Sequence, residues 1–134
     1  GQGSEDSGNQ GQSSEILPVT MPLLSIETNL SLDDARLATL LAASSARTAD
    51  LLGKPESYVM VKLNTNPNMM FGGNQQPLAY VELKSLGLPE ERTADFSAAL
   101  CDLLSEQLDI PADRIYIEFK NGVRHLWGWN GATF

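Results

Sequence analysis

The residue with the most chemistry to offer is Pro22, and what it can do depends on the bond that precedes it. Inside the chain its nitrogen is an amide, whose delocalised lone pair is no base. There it reads as an ordinary proline at the start of a strand, where no ladder donor is needed. Cleaved after Met21, it presents a secondary amine at the end of the alternating stretch Leu23-Leu24-Ser25-Ile26-Glu27-Thr28. An α-amino group has a reference pKa of roughly 7.7–8, and partial burial or a neighbouring cation lowers it by disfavouring the charged form. That supplies a general base near neutral pH without any histidine.

Other reactive types have plainer readings. His125, the single histidine, cannot make a metal cluster alone and reads as a surface side chain beside Arg124. Gly72-Gly73 lacks the Lys-Ser/Thr that follows in a phosphate loop, so a hairpin bend is the better reading. Asp33-Asp34 and Glu90-Glu91 stand where helix starts favour acids. The only cysteine, Cys101, excludes an internal disulfide, a CxxC redox pair and a cysteine-rich zinc site. Close to Leu100 and Leu104 on a helix, it reads as a buried small hydrophobe rather than a reactive thiol.

These residues need a frame. A first strand is expected over about 22–28, followed by a helix that Ser31 can cap, with Asp33 and Asp34 in its positive first turn. Leu37, Leu40, Leu41, Ser44, Thr48, Leu51 and Leu52 share one face of that helix, and Gly53 with Pro55 stops it. Residues 58–63 are rich in strand formers and give a second strand. Asn64 to Pro67 is a turn cluster, and Phe71-Gly72-Gly73-Asn74 a bend that needs positive φ. A third strand is expected over about 78–84. Pro89, Glu90 and Glu91 then open a second helix with Phe96, Leu100, Leu103, Leu104 and Leu108 on its apolar face. Residues 114–119 alternate as a fourth strand, and Leu126-Trp127-Gly128-Trp129 reads as a short extra one.

Laid over itself with a shift of 56 residues, the chain matches in kind: 22–28 falls on 78–84, 33–52 on 89–108 and 58–63 on 114–119. The fold class is therefore α/β (α+β), a duplicated β-α-β unit forming a four-stranded mixed sheet with two helices on one face. Met60, Leu78, Tyr80, Ile115, Ile117 and the two tryptophans supply more apolar side chain than one covered face requires. The other face of the sheet is thus expected to meet a partner subunit.

Of the 134 residues, 1–21 read as a disordered leader, natural extension or cloning remnant, and 22–134 as one domain. The net charge is −8, and the domain stays acidic once Glu5, Asp6 and Glu15 of the leader are set aside, which disfavours nucleic acid as partner. No apolar run approaches the roughly 18 residues of a membrane span, and the start of the chain lacks the basic and apolar segments of a secretory signal. A soluble cytoplasmic protein is the expectation, with non-classical release open to it.

Met21-Pro22-Leu-Leu-Ser-Ile-Glu-Thr-Asn29, Gly53-Lys54-Pro55-Glu-Ser-Tyr58-Val59, Met70-Phe71-Gly72-Gly73, Leu83-Lys-Ser85-Leu86-Gly87, Pro111-Ala-Asp-Arg114-Ile-Tyr116-Ile and Gly128-Trp129-Asn130-Gly-Ala-Thr133-Phe134 together resemble the macrophage migration inhibitory factor family of the tautomerase superfamily. The segments around Lys54 and Trp129 look more like its plant and photosynthetic-microbe branch than its animal one. The resemblance implies a homotrimer whose sheets close a central barrel, and cofactor-free keto–enol tautomerisation of phenylpyruvate- and dopachrome-like compounds. It implies Pro22 as catalytic base and Lys54 as holder of the substrate carboxylate. It adds a polar backbone contact around Leu86 and an aromatic wall of Tyr116, Trp129 and Phe134, with Tyr116 supplied by a neighbouring subunit. No metal and no cofactor is implied. Taken alone, Lys54 also reads as a helix C-terminal cation and the aromatics as interface core.

Departures from the family narrow this. The thiol pair of animal members would lie at Leu78 and Val81, which excludes thiol chemistry through that motif. Their chemokine-like Arg and Asp fall near Leu32 and Asn66, so a protein receptor is not expected through that motif. A substrate-site Asn of the family falls on Glu118. The alternative to an enzyme is a binding or signalling protein that keeps the fold without significant catalysis.

Overall fold

The structure, a computed structural model, describes residues 21–134. Residues 1–20, all but the last residue of the expected leader, lie outside the described residues. Alternation in the sequence becomes β1, Leu23–Thr28, with Leu24, Ile26 and Thr28 buried and the residues between them half-buried. Helix α1, Asp34–Leu52, starts at Asp33, whose carboxylate accepts the Arg36 N–H at 2.8 Å. Ser31, the expected cap, stands two residues too early to reach that amide. The helix ends as its glycine predicts, with Gly53 left-handed at φ 62° and the Lys54 N–H donating to the Ala49 carbonyl at 3.0 Å.

Then follow β2 (Met60–Thr65), β3 (Ala79–Leu86), α2 (Thr93–Leu108), β4 (Ile115–Gly122) and a small hairpin of β5 (Gly128–Trp129) and β6 (Ala132–Thr133). The sheet order is β2-β1-β3-β4. β1 runs parallel to β2 and antiparallel to β3, and β3 runs parallel to β4, so two right-sized β-α-β units meet along their first strands. Both helices bury their apolar sides in one core: Leu40 and Leu52 of α1 and Phe96, Leu100, Leu103 and Leu104 of α2 join Leu24, Ile26, Val81 and Leu83 of the sheet. Cys101 of α2 is half-buried against this core, and burial, then Asp102, holds its thiol above the ordinary range. Among the described residues, no helix is long and apolar enough to cross a membrane.

The internal repeat holds through its caps. Gly53 and Asp109, 56 residues apart, are both left-handed (φ 62° and 57°), and Pro55 and Pro111 each precede one turn of 3₁₀ helix, Glu56–Tyr58 and Ala112–Arg114. Because the first of those turns takes Tyr58, β2 begins two residues later than expected. The first strands are out of phase. The overlay sets Leu24 and Ile26 on Tyr80 and Glu82, whereas the residues of β3 that enter the core are Ala79, Val81 and Leu83. A one-residue offset exchanges the faces of a strand, so 22–28 does not superpose on 78–84 face for face.

The expectation of an apolar outer face is also corrected. Ile115 belongs to the core on the helix side and Ile117 packs against it, while Leu78 is buried just before β3. The register places Ser25, Glu27, Lys62, Asn64, Tyr80, Glu82, Lys84, Glu118 and Lys120 on the open side, with Met60 and Tyr116 at its edges. Counting apolar residues along the chain overlooked this alternation. Glu82 binds Lys120 at 3.0 Å and Lys84 at 3.5 Å, so the open face is a charged, wettable surface.

Candidate active site

Pro22 sits at the end of β1, buried, with its carbonyl accepting the Met60 N–H at 2.9 Å. This bond ties it to the first residue of β2 and fixes where its nitrogen lies. A cleft of about 260 Å³ opens beside it, lined by Met21, Pro22, Leu23, Ser57, Tyr58, Val59, Met60, Trp127, Gly128 and Trp129. Met21 is itself only 6% exposed, so the residue before Pro22 occupies part of the space a ligand would use.

The outer wall is aromatic. Tyr58 meets Trp129 edge-on at 6.0 Å, and Phe134 stacks on Trp129 at 6.3 Å and 12° between planes. Two backbone bonds tuck the last residue in place: the Phe134 N–H points to the Arg124 carbonyl at 3.2 Å and the Trp127 carbonyl at 3.3 Å. Trp127 is seated on Gly122, where an added Cβ would come within 2.7 Å of the indole and 2.9 Å of Leu86. Glycine is required there by close approach rather than by a turn.

Of the residues singled out from the sequence, Pro22 and Trp129 line this cleft and Phe134 backs it. Lys54 lies just past the end of α1, lining a separate shallow depression with Asp50 and Glu56. Leu86 is fully buried at the same end of the sheet as Pro22, and its carbonyl already accepts the Ser85 hydroxyl at 2.9 Å. Tyr116 and Glu118 lie elsewhere. β4 is two strands from β1, and the pairing of Glu27 with Tyr80 and of Tyr80 with Tyr116 puts Tyr116 at the far end of β1 from Pro22, on the order of 15 Å along the strand.

Glu118 does share the face of Tyr116, as alternation predicts, but it is engaged within its own chain. It accepts the Tyr80 hydroxyl at 2.5 Å and lies 4.0 Å from the Lys120 ammonium. Tyr58 was missed. It stands four residues after Lys54 in one of the quoted motifs, but its β propensity assigned it to a strand, whereas the 3₁₀ turn after Pro55 turns its ring into the cleft.

Comparison with known proteins places this geometry. The family model described as macrophage migration inhibitory factor matches residues 21–134. A macrophage migration inhibitory factor homolog from Trichinella spiralis is 40% identical over 115 residues, covering 85% of this chain and 100% of the relative. The crystal structure of a macrophage migration inhibitory factor homologue from Prochlorococcus marinus is 44% identical with a TM-score of 0.77, covering 84% of this chain and 98% of that one. The Trichinella spiralis structure gives 38% and 0.76 over 84% and 99%. In each case the matched length is that of the unit built on Pro22 and closed by Phe134, and the chain belongs to the macrophage migration inhibitory factor family.

Proposed function

We propose that this chain, once residues 1–21 are removed, is a cofactor-independent keto–enol tautomerase acting on phenylpyruvate- or dopachrome-like compounds with Pro22 as its base. The observation that carries this reading is the burial of Pro22 at the end of β1, beside an aromatic cleft and held by the Met60 N–H. Freed of Met21, the proline nitrogen becomes a secondary amine in a partly apolar site, which favours its neutral form near pH 7. The amine takes a proton from the carbon beside the substrate ketone, the carbonyl oxygen gains one from water as the enol forms, and the protonated amine returns its proton to water; the reverse sequence regenerates the ketone. Loss of Met21 also vacates cleft volume for an aryl ring against Tyr58, Trp129 and Phe134. Lys54, four residues before Tyr58 but lining its own depression in this structure, would have to extend its side chain to the cleft to supply the cation for the substrate carboxylate.

A homotrimer completes this site. Tyr116 and Glu118 cannot reach Pro22 within one chain, and the exposed apolar residues Met60, Met70 and Tyr116, 63–66% accessible, lie at the sheet edges and an adjacent loop, where a second copy would cover them. In such an assembly the charged open faces line a wet lumen rather than a dry core.

A second reading, a binding or signalling protein without catalysis, is favoured by one observation: in the sequence as it stands Pro22 follows Met21 and its nitrogen is an amide. Enolisation of phenylpyruvate, measured with residues 1–21 attached and after their removal, separates the two. Activity that appears on removal and disappears in the processed Pro22→Gly variant supports the enzyme. Equal activity in all three forms overturns the mechanism, and no activity in any favours the second reading.

A further inference from the structure

We propose that Arg114 and Phe71 are positioning residues for Tyr116, forming a relay that sets the ring one copy presents to the next; the catalytic consequence rests on the reading above that Tyr116 completes a neighbour's pocket. Arg114 leads directly into β4 and spends its guanidinium on the loop before β3. Its Nη1 donates to the Phe71 carbonyl at 2.9 Å, its Nη2 to the Gln76 and Asn74 carbonyls at 2.9 and 3.4 Å, and its Nε to the Pro77 carbonyl at 3.2 Å. Four carbonyls converging on one planar cation fix the loop as a lysine cannot, because the fork holds its donors in one geometry.

That grip determines where Phe71 lies. Gly72 and Gly73, both at positive φ (61° and 80°), reverse the chain so that Phe71 and Asn74 exchange backbone bonds at 2.9 and 3.2 Å. The guanidinium carbon sits 5.2 Å from the Phe71 ring centroid. Phe71 also packs on Tyr116 at 4.7 Å between centroids and 54° between planes. Within one chain Tyr116 is 66% exposed, and Phe71 is the aromatic ring packed on it. The relay runs from Arg114 through Phe71 to a side chain two residues further along β4, closing a loop of contacts at the edge of the sheet.

Two processed variants test it from different ends: Arg114→Lys keeps the charge and loses the fork, and Phe71→Leu keeps the loop bonds and loses the ring. Each is expected to raise KM for phenylpyruvate about three- to tenfold with kcat held within about twofold, and to move the Tyr116 ring resonances in NMR spectra. In a Tyr116→Ala background neither should raise KM further, since coupled residues are non-additive. The inference is overturned if both variants leave the Tyr116 resonances in place, or if their KM effects persist undiminished in the Tyr116→Ala background. Should the processed parent show no Pro22-dependent turnover, the proposed function fails, while the NMR comparison still decides whether Arg114 and Phe71 hold Tyr116.

Discussion

The Tyr80 hydroxyl donates to the Glu118 carboxylate at 2.5 Å, diagonally across β3 and β4. The pairing directly across these strands is unfavourable, setting Glu82 opposite Glu118 and Lys84 opposite Lys120. Diagonal contacts resolve it: Tyr80 to Glu118, and Lys120 to Glu82 at 3.0 Å. The hydrogen bond to Glu118, then burial and nearby carboxylate charge, push the Tyr80 phenol from its ordinary 10.0 up to about 12.

Tyr80 should therefore ionise late, towards pH 12, in a phenolate absorbance titration. A folded-state pKa above the unfolded one means that this bond contributes fully below pH 10 and is lost as pH rises towards 12. Glu118→Gln should return the late phenol towards the ordinary range, and Tyr80→Phe should delete it. A parent titration with no late phenol, or a late phenol that survives Tyr80→Phe, would contradict the pairing.

Glu82 carries the opposite sign. The hydrogen bond from Lys120 depresses its carboxyl against a smaller opposing effect of burial, with Lys84 adding to the depression. Its contribution is present above the ordinary carboxylate range and lost as pH falls through the folded value. Lys120→Met should lower the melting temperature at pH 7 while shrinking the gap between parent and variant below about pH 4. A gap that stays constant from pH 7 to pH 3 would show that the pair adds nothing.

The two halves of the repeat solve the helix end with different residues, and that predicts opposite substitutions. Gly53 at φ 62° has nothing within 4 Å of an added Cβ, so Gly53→Ala meets only backbone strain and should cost about 1 kcal/mol. Asp109 holds nearly the same conformation with a side chain, and Asp109→Gly should be neutral to stabilising by a few tenths of a kcal/mol. Paired denaturant melts read both, and destabilisation by Asp109→Gly would mean that its carboxylate makes a contribution beyond the cap.

How much of this was legible follows from the range of each signal. The helix C-termini, the glycine bend at Gly72 and Gly73 and the order of elements in the repeat appear where the residues put them. The helix starts do not: Asp33 rather than Ser31 caps α1, and Pro89, Glu90 and Glu91 lead into a 3₁₀ turn, Glu90–Arg92, with α2 beginning at Thr93. Strand phase is not local: the overlay of Leu24 on Tyr80 looked sound until the register assigned each to a face. The same blindness made the open face seem apolar, because Ile115 and Ile117 were counted without asking which side they took. The cleft was half visible. Pro22, Trp129 and Phe134 were named from motifs, yet the contact of Tyr58 with Trp129 depends on a 3₁₀ turn that strand propensity conceals. Tyr116 and Glu118 could not be joined to Pro22 by any reading of one chain, since the sheet holds them apart.

Glu118 gives the most direct test of how the proposed trimeric site is tuned. Presented to a neighbour's Pro22, a carboxylate favours the protonated amine and repels an anionic keto acid, and both effects lower turnover. Its own chain weakens that influence, because Tyr80 occupies one oxygen and Lys120 lies 4.0 Å away. A charge so paired and exposed acts through a high effective dielectric, which limits the effect to about two- to fivefold. Processed Glu118→Asn should thus turn over phenylpyruvate about two- to fivefold faster, with the acidic limb of its pH–rate profile moved to lower pH. The sign is fixed: removing a negative charge lowers the amine pKa and leaves more free base at pH 7. An unchanged rate and an unchanged profile together would mean that Tyr80 and Lys120 already cancel Glu118 at the site.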